Sequence, residues 1–196
     1  MSKTFELSSE LVDVVDRNGE PTGKIVDKAI AHRDELWHRD VHVWITNGTE
    51  FLEQQRARDK SIMPLEWDVS ASGHVGTGQS FEEAAIRETD EELGPYFNGM
   101  PLIPIGRMAV EMAMDGGTWT HRVVGENFVV VASQLTRANL HDVVAFQRSE
   151  IEDVRLYSID QLEADLRSPD TAGRHAQQPQ ELWDLGIEGM RRAIAA

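Results

Sequence analysis

The sequence predicts an α/β fold with a mixed β-sheet. Short apolar runs rich in β-branched residues alternate along the chain with segments of helical character, a pattern typical of a sheet covered by helices. The run FVVVA at residues 128–132 is apolar enough to be buried on both faces of a sheet. A length of 196 residues suits one domain and can bury a substantial core. We therefore expect a single domain over residues 1–196.

The predicted elements before residue 73 are mostly strands, because the apolar runs there are short and are separated by turn residues. The Asn47-Gly48 pair predicts a hairpin turn, and Pro64 predicts a loop. In chain order we expect a strand at 7–15, a turn at 17–20, a short helix at 25–33, paired strands at 41–45 and 50–55, a loop at 56–66 and a strand at 67–72.

After residue 95 the chain returns to strands and ends in helices. Ser158 followed by Gln161 is a helix-start signal, since the Ser hydroxyl can cap the first turn. In chain order we expect a strand at 102–112, a turn at 115–117, strands at 121–124 and 128–132, a loop or a helix at 135–144, a strand at 154–157, a helix from 158, a polar connection at 168–179 and a closing helix at 179–195. The apolar contacts expected of the closing helix are Leu182, Leu185, Ile187, Met190 and Ile194.

The segment at residues 73–95, GHVGTGQSFEEAAIRETDEELGP, predicts a loop, a helix and a closing turn. Ser80 and Glu83 form a Ser-x-x-Glu capping box, which marks the start of a helix. Gly94 suits a left-handed cap, and Pro95 cannot continue a helix. The helix is therefore expected to begin after Ser80 and to end at Gly94.

One face of this helix gathers acidic residues. Helical spacing puts Glu88, Glu91 and Glu92 at i, i+3 and i+4, and like charges at that spacing destabilise an isolated helix by about 0.2–0.5 kcal/mol. A divalent cation with oxygen ligands would offset this repulsion, and Mg²⁺ usually also binds a substrate phosphate. The alternative is a solvated acidic face, which is common in a chain with a net charge of −15. The glycines at residues 73–78 favour a ligand site over a solvated face, since they let the backbone approach a ligand closely and the amides of the helix N-terminus favour anions.

Residues 73–95 resemble the Nudix box, G-x5-E-x7-R-E-U-x-E-E-x-G-U, in which U is a bulky apolar residue. Six residues stand at the fixed positions of the box: Gly73, Arg87, Glu88, Glu91, Glu92 and Gly94. Three positions depart from it: Gln79 replaces the first Glu, Thr89 is only partly apolar, and Pro95 replaces the last apolar residue. The resemblance implies a Nudix hydrolase with an α/β/α sandwich, in which the box helix packs against a mixed sheet.

The resemblance also implies a chemistry, which is metal-assisted attack of water on a diphosphate with Mg²⁺ or Mn²⁺ as the cofactor. The metal ligands that it implies are the carboxylates of Glu88, Glu91 and Glu92 and the carbonyl oxygen of Gly73. Glu88, Glu91 and Arg87 are then the catalytic residues, with Arg87 orienting the carboxylates through charge-assisted pairs.

Two roles stay open at this point. If the first Glu of the box binds metal, Gln79 lowers the metal affinity, whereas the loss is modest if that position only supports Arg87. The general base is either a glutamate of the box or an acidic residue from a later loop, for which Glu126 and Glu150 are the candidates. Each of the two has an alternative reading as a solvated loop residue.

Two further phrases, AHRDELWHRDVHVWI and EWDVSASGHVGTG, are similar to the Nudix branch that contains isopentenyl-diphosphate isomerase. The resemblance implies metal binding by His32, His38 and His74; the alternative for each is a hydrogen-bonded structural role, and His42 is expected to pack or to face solvent. The isomerases need a Cys before the Gly-His, where this chain has Ser72, whose hydroxyl is a far weaker acid. We therefore expect an isomerase-like Nudix hydrolase, with isomerase activity or a catalytically weak diphosphate-binding module as alternatives.

The substrate side is less defined. Nudix substrates are typically nucleoside diphosphates linked to another moiety, and the box does not choose among them. Trp37 and Trp119 could stack on a base or flank an apolar tail, with core or rim packing as the alternative. Arg56, Arg58 and Lys60 form either a phosphate-binding face or a solvated charged loop.

Composition limits the partners and the compartment. The net charge of −15 argues against a nucleic acid polymer or an anionic membrane as a partner. The chain has no Cys, so thiol catalysis, disulfides and zinc–thiolate sites are excluded. No signal peptide or apolar run of membrane length is present, and we expect a cytoplasmic protein. The resemblance implies a small-molecule diphosphate as the partner and a homodimer as a common state.

Overall fold

The computed structural model describes residues 10–60, 62–114 and 116–196, which form β-sheets flanked by helices. The strands in these residues are β1 (Leu11–Val15), β2 (Pro21–Asp27), β3 (His38–Thr46), β4 (Glu50–Arg56), β5 (Trp67–Asp68), β6 (Ala71–His74), β7 (Ile103–Met114), β8 (Trp119–Val131) and β9 (Ile151–Ser158). The helices are α1 (Lys28–Arg33), α2 (Phe81–Leu93), α3 (Leu140–Val143), α4 (Ile159–Arg167) and α5 (Gln180–Ala195). Single 3₁₀ turns at Pro95–Phe97 and Ala172–Arg174 follow α2 and α4.

The larger sheet is mixed, and two of its adjacent strands, β3 and β4, separate from each other along most of their length. Its strands run in the order β5-β4-β3-β8-β7, with β6 paired to β3 and β9 paired to β4; β1 and β2 form a separate hairpin. The pairing of β3 with β8 is parallel and the other pairings are antiparallel. Next to their connecting turn β3 and β4 pair at Thr46 and Phe51. Further along, the facing edges are occupied by β6 on β3 and by β5 on β4, so the two strands diverge.

Two hydrophobic clusters cover the two faces of this sheet. On one face, alternate residues of β3 such as Val43 pack with Ala84 and other buried residues of α2. On the other face, Trp44 packs with buried side chains of α4 and α5, including Trp183. A Cβ built on Gly186 would lie 2.5 Å from the Trp44 ring, so glycine there lets α5 approach the sheet closely. The predicted α/β/α sandwich with a mixed sheet is therefore confirmed.

The predicted start and end of α2 are also confirmed. The Ser80 hydroxyl accepts a hydrogen bond from the Glu83 backbone N–H, and the Glu83 carboxylate accepts one from the Ser80 N–H, which completes the capping box. At the other end Gly94 has φ +83°, and Pro95 follows it. The 41–45 and 50–55 hairpin, the Ser158 cap and the buried run at 128–132 are confirmed in the same way.

Three element predictions were wrong in part. Residues 25–27 belong to β2, because they pair with β1 and because Asp27 caps α1 by accepting from the Ala29 N–H. The strands expected at 121–124 and 128–132 are one strand, β8, because residues 123–129, which include the gap between them, pair with both β3 and β7. The strand expected at 67–72 is divided into β5 and β6, because its two halves pair with opposite sides of the split.

Smaller differences concern single residues. Ile194 is 39% exposed, whereas Trp183, which was not among the expected contacts, is buried in the core. In the loop-or-helix segment at 135–144, the helix is the short α3. Residues 7–9 of the first predicted strand and Asp115 of the predicted turn lie outside the described residues. Among the residues that the structure describes, no helix is both long and apolar enough to cross a membrane.

Candidate active site

The split between β3 and β4 opens into a cavity of about 370 Å³. The strands β3, β6 and β8 each contribute to its lining, and so does α2 through Arg87, Glu88, Glu91 and Glu92. Part of the lining is apolar and comes from β7, at Val110, Met112 and Met114. The cavity therefore combines an acidic edge with an apolar wall, as small-molecule sites commonly do.

Glu88 lies against the backbone of β6. A Cβ built on Gly73 would be 2.1 Å from Glu88 Cδ, so only glycine leaves room for this carboxylate. Arg87 Nη2 is 2.8 Å from Glu88 Oε1. Burial raises the pKa of Glu88 to about 7, because the cost of desolvating the charged form outweighs the attraction of Arg87.

Glu92, one helical turn further along α2, is held by neutral donors. Its Oε2 accepts hydrogen bonds from Gln54 Nε2 and from the Ser72 backbone N–H, both at 3.2 Å. Burial raises the pKa of Glu92 to about 8, and the charge of Glu88 adds to the effect. Gln54 was not among the residues expected at the site, because nothing in the sequence links β4 to the box helix.

Arg87 organises the outer side of the same cluster. Its Nη1 donates to Glu91 Oε2 at 3.0 Å, and its Nη2 donates to the carbonyl oxygen of His74 at 2.9 Å. The Glu91 side chain is 53% exposed, in contrast to the buried Glu88. Arg87 thus joins the helix to β6 and forms ion pairs with two of the three glutamates.

Gln79 lies in the loop before α2. Its Oε1 accepts a hydrogen bond from the Gly76 backbone N–H at 3.0 Å, and a Cβ on Gly76 would be 2.9 Å from that oxygen. The side chain therefore bonds to the loop backbone. The two roles weighed for this position, metal binding and support of Arg87, stay predictions.

The two candidate general bases occupy different places. Glu150 lines the cavity, forms an ion pair with Lys60, and contributes to the raised pKa of Glu92. Glu126 lies on β8 and accepts a hydrogen bond from Arg107 Nε at 2.9 Å. It is not among the residues that line the cavity in the described part of the chain.

A cluster of histidines borders the cavity near α1. One ligand nitrogen from each of His32, His38 and His74 lies within 4.8 Å of the other two, and the Nε2 atoms of His32 and His74 are 3.0 Å apart. His38 Nδ1 is 2.8 Å from the carbonyl oxygen of Leu36, so Nδ1 carries the proton and the lone pair is on Nε2. Among the described residues His38 Nε2 has no hydrogen-bond partner.

A fourth histidine, His121 on β8, joins this cluster, with its ring centroid 5.4 Å from that of His32 and 5.7 Å from that of His38. Burial lowers the pKa of His38 and holds the pKa values of His74 and His121 well below the usual value, so these rings are neutral at pH 7. The sequence reasoning missed His121. Its alternation with Trp119 and Val123, two residues away on either side, was the available signal. Only the register of β8 with β3 brings it to the others.

Some of the residues suggested for substrate binding line the cavity, and others do not. Arg56 and Lys60 line the cavity, whereas Arg58 is exposed and pairs with Glu152. Trp119 packs against the His32 ring at 5.6 Å between centroids, so its role is packing on the histidine cluster. Trp37 directly precedes His38 in the chain and is half-buried. In the part of the chain that the structure describes, neither Trp lines the cavity.

Comparison with known proteins relates the sequence of this chain to one family, through a family model and through individual relatives. The sequence model of the NUDIX domain matches residues 36–178. The chain is 41% identical over 90 residues to Nudix hydrolase 3 of Arabidopsis thaliana; the match covers 45% of this chain and spans 12% of the length of that protein. It is 29% identical over 151 residues to an isopentenyl-diphosphate Delta-isomerase of Citrobacter koseri, covering 76% of this chain and 81% of that one.

Among solved structures, a protein of Deinococcus radiodurans matches with a TM-score of 0.63 and 22% sequence identity, over 91% of this chain and 98% of that one. This match supports the fold.

Proposed function

The chain belongs to the NUDIX domain family, and we propose that it is a Mg²⁺-dependent pyrophosphohydrolase that cleaves a diphosphate linkage in a nucleoside-diphosphate-type small molecule. Relatives that carry the name Nudix hydrolase support the reaction class. A cytoplasmic location and a homodimeric state belong to the same proposal, and light scattering of the purified chain tests the latter.

The observation that carries the proposal is the burial of two carboxylates, Glu88 and Glu92, at the edge of the cavity. Both are buried on one face of α2, and burial raises their pKa values to about 7 and 8. Keeping two adjacent carboxylates buried is costly unless a cation compensates them. Strongly shifted acids in a cleft are typical of functional sites.

The donor set fits Mg²⁺, a hard cation that prefers oxygen ligands. Glu88, Glu92 and the carbonyl oxygen of Gly73 would hold the ion, with Glu91 at the exposed side of the cluster. Gly73 supports this assignment because any Cβ there would displace the Glu88 carboxylate. When bound, Mg²⁺ neutralises the charge of the diphosphate and acidifies a coordinated water.

The remaining roles follow from the contacts of the chain itself. Arg87 positions Glu88 and Glu91 through its two ion pairs. Glu150 is the better placed of the two candidates for general base, because it lines the cavity and its charge acts on Glu92. Lys60 holds Glu150 in that place and is available to a phosphate.

An isomerase is the second candidate, favoured by the similarity to an isopentenyl-diphosphate isomerase and by the histidine cluster. His32, His38 and His74 would hold a second divalent cation of the kind that accepts neutral imidazole nitrogens. The position that is Cys in the isomerases is Ser72, which lines the cavity. Since a hydroxyl is a poor substitute for a thiol in moving a proton at carbon, we favour hydrolysis.

The test is product release from a panel of diphosphates with and without Mg²⁺. The panel contains ADP-ribose, NADH, dinucleoside polyphosphates, nucleoside triphosphates and isopentenyl diphosphate. We expect Mg²⁺-dependent hydrolysis that falls roughly a hundredfold or more in Glu92→Gln, since a catalytic cation contributes several kcal/mol to the transition state. The matched control Glu188→Gln, on the exposed face of α5, keeps the native rate.

Other outcomes support the alternatives. Conversion of isopentenyl diphosphate to its allylic isomer would support an isomerase. Diphosphate binding without turnover of any compound, with Mg²⁺ still bound, would support a binding module and overturn the proposal.

A further inference from the structure

Asp40 and His42 are two polar residues in the middle of the sheet. Both residues of β3 line the cavity. Because side chains alternate along a strand, Val41 and Val43 point to the other face and belong to the core under α2. Asp40 is 8% exposed and His42 is 5% exposed. Neither residue has a role in the proposed reaction, although burying both is unfavourable unless their polar atoms are bonded.

Two of these polar atoms have no hydrogen-bond partner among the described residues, namely Asp40 Oδ1 and His42 Nδ1. They converge above Gly125 on the neighbouring strand β8, since a Cβ built there would lie 2.5 Å from Asp40 Oδ1 and 3.2 Å from His42 Nδ1. The other ends of the two side chains, His42 Nε2 and Asp40 Oδ2, are 3.9 Å apart. Buried polar atoms are bonded in the great majority of cases, so this pair calls for a ligand.

The pair lies beside the groups that would hold the diphosphate. His42 is directly opposite Ser72 in the pairing of β3 with β6, and the Ser72 N–H donates to Glu92. Directly opposite residues of an antiparallel pair have Cβ atoms about 5 Å apart. A group bound by Asp40 and His42 would therefore belong to the part of the substrate next to its phosphates.

We propose that Asp40 and His42 form a subsite that binds a hydroxyl group on the sugar of a nucleoside diphosphate. This inference rests on the proposed function, which it deepens by naming the group that is recognised. A single hydroxyl satisfies both atoms, because it donates its proton to Asp40 Oδ1 and its oxygen accepts a hydrogen bond from the N–H at His42 Nδ1. A phosphate is repelled by the carboxylate, and an alkyl group leaves both polar atoms unbonded.

The experiment measures equilibrium binding by calorimetry, in the presence of Mg²⁺, to four probes. They are ADP, 2′-deoxy-ADP, 3′-deoxy-ADP and isopentenyl diphosphate, the last of which has a diphosphate and no hydroxyl. We expect the native chain to bind ADP roughly ten- to a hundredfold more tightly than at least one deoxy form, the range for a hydrogen bond to a charged group.

Variants assign that preference to the two residues. Asp40→Ala and His42→Gln are expected to remove the preference for ADP while leaving the affinity for isopentenyl diphosphate within twofold, and Asp40→Asn, which keeps an acceptor oxygen, retains part of it. The matched controls are Asp142→Asn and His141→Gln, an exposed Asp and an exposed His of α3, and both keep the native preference. Melting temperatures identify any variant that fails to fold, and His42→Gln then stands in for Asp40→Ala.

Several results would overturn the subsite: equal binding of ADP and both deoxy forms by the native chain, no binding of ADP, or an equal loss for all four probes in Asp40→Ala. Failure of the proposed function looks different. In that case no diphosphate is hydrolysed, yet the preference for ADP over a deoxy form and its loss in the variants persist, which supports the subsite on its own.

Discussion

Glu53 on β4 and Glu92 on α2 are both buried carboxylates, yet their surroundings differ. Glu53 is fully buried, and its carboxylate has two partners: the Arg155 guanidinium, with a nitrogen at 2.7 Å, and the His175 ring, with Nδ1 at 2.7 Å. Glu92 is bonded by a side-chain amide and a backbone N–H, and the charge that shifts its pKa most is that of another carboxylate, Glu88. Glu53 thus has a charged partner in the chain, whereas the donors that bond Glu92 among the described residues are neutral.

The contrast arises within a single strand. Glu53 and Gln54 are neighbours on β4, so their side chains point to opposite faces of the sheet. Glu53 faces His175 in the connection before α5. On the far side of that ring Asp165, which accepts a hydrogen bond from the Tyr157 hydroxyl, lies 3.6 Å from His175 Nε2. Gln54 faces the cavity and donates to Glu92. A compensated buried network fixes structure, whereas uncompensated acids in a cleft indicate function.

The largest effect on stability is expected from removing the charge of Glu53, which pairs with Arg155. Glu53→Gln removes the charge that both Arg155 and His175 bond, and the loss of one partner from a buried ion pair costs about 3–5 kcal/mol of unfolding free energy. Urea denaturation at pH 7 measures this value. Glu188→Gln, at an exposed site of α5, is the control and stays within about 0.5 kcal/mol of the native chain. A similarly small loss in Glu53→Gln would mean that the network contributes little.

Removing the charge of Glu92 is expected to have the opposite effect on stability, a gain at high pH. The pKa of Glu92 is about 8 in the folded chain and 4.5 as the reference value, so the folded state binds more protons between these values. Stability from this group is complete below about pH 4.5 and is lost as pH rises through about 8.

Glu92→Gln does not titrate, so in EDTA it should be more stable than the native chain at pH 9 by on the order of a few kcal/mol. At pH 4.5 the two should be alike. Urea denaturation at both pH values checks this, and parallel stability curves for the two proteins would show that Glu92 is not shifted in the folded state.

A change that spares both charges tests the space around the acidic cluster. In Gly73→Ala the new methyl group would occupy the place of the Glu88 carboxylate, 2.1 Å away from its carbon. We expect a loss of about 1–3 kcal/mol in stability from overpacking. Hydrolysis should fall about tenfold or more, because a small displacement of a positioning group is costly in rate. Gly173→Ala, where a Cβ meets nothing within 4 Å, is the control and keeps native activity.

The smallest effect is expected at the position where the chain departs from the family pattern. Gln79 accepts a hydrogen bond from the Gly76 N–H, and a glutamate at this position can accept the same bond. Gln79→Glu should therefore change stability by less than about 0.5 kcal/mol, and kcat and the Mg²⁺ dependence of the rate should stay near native. A marked tightening of Mg²⁺ binding in this variant would show that the position acts on the metal.

How far the sequence predicts the site depends on the distance over which the signal acts. The acidic face of α2 follows from helical spacing alone, and the capping box and Gly94 set its ends, because all of these are contacts within a few residues. Gln54 and His121 reach the site only through strand pairing and through the split between β3 and β4. No local pattern reports which strand lies beside which.

The same limit explains the errors in the elements. Residues 67–72 form one extended run in the sequence, but its halves bond to different strands, and the division at the split is a property of the sheet. His42, which was expected to pack or to face solvent, is buried, and the alternation of β3 places it at the cavity beside Asp40.

The sequence by itself determined the fold class, the box helix with its carboxylate face, and the family, because these depend on periodicity and on residues at fixed short spacings. The tertiary structure decided which acids are compensated and which are not, and which histidines meet. Those properties depend on burial and on partners distant in the chain, since the pKa of a carboxylate is set by the groups and the solvent that surround it after folding.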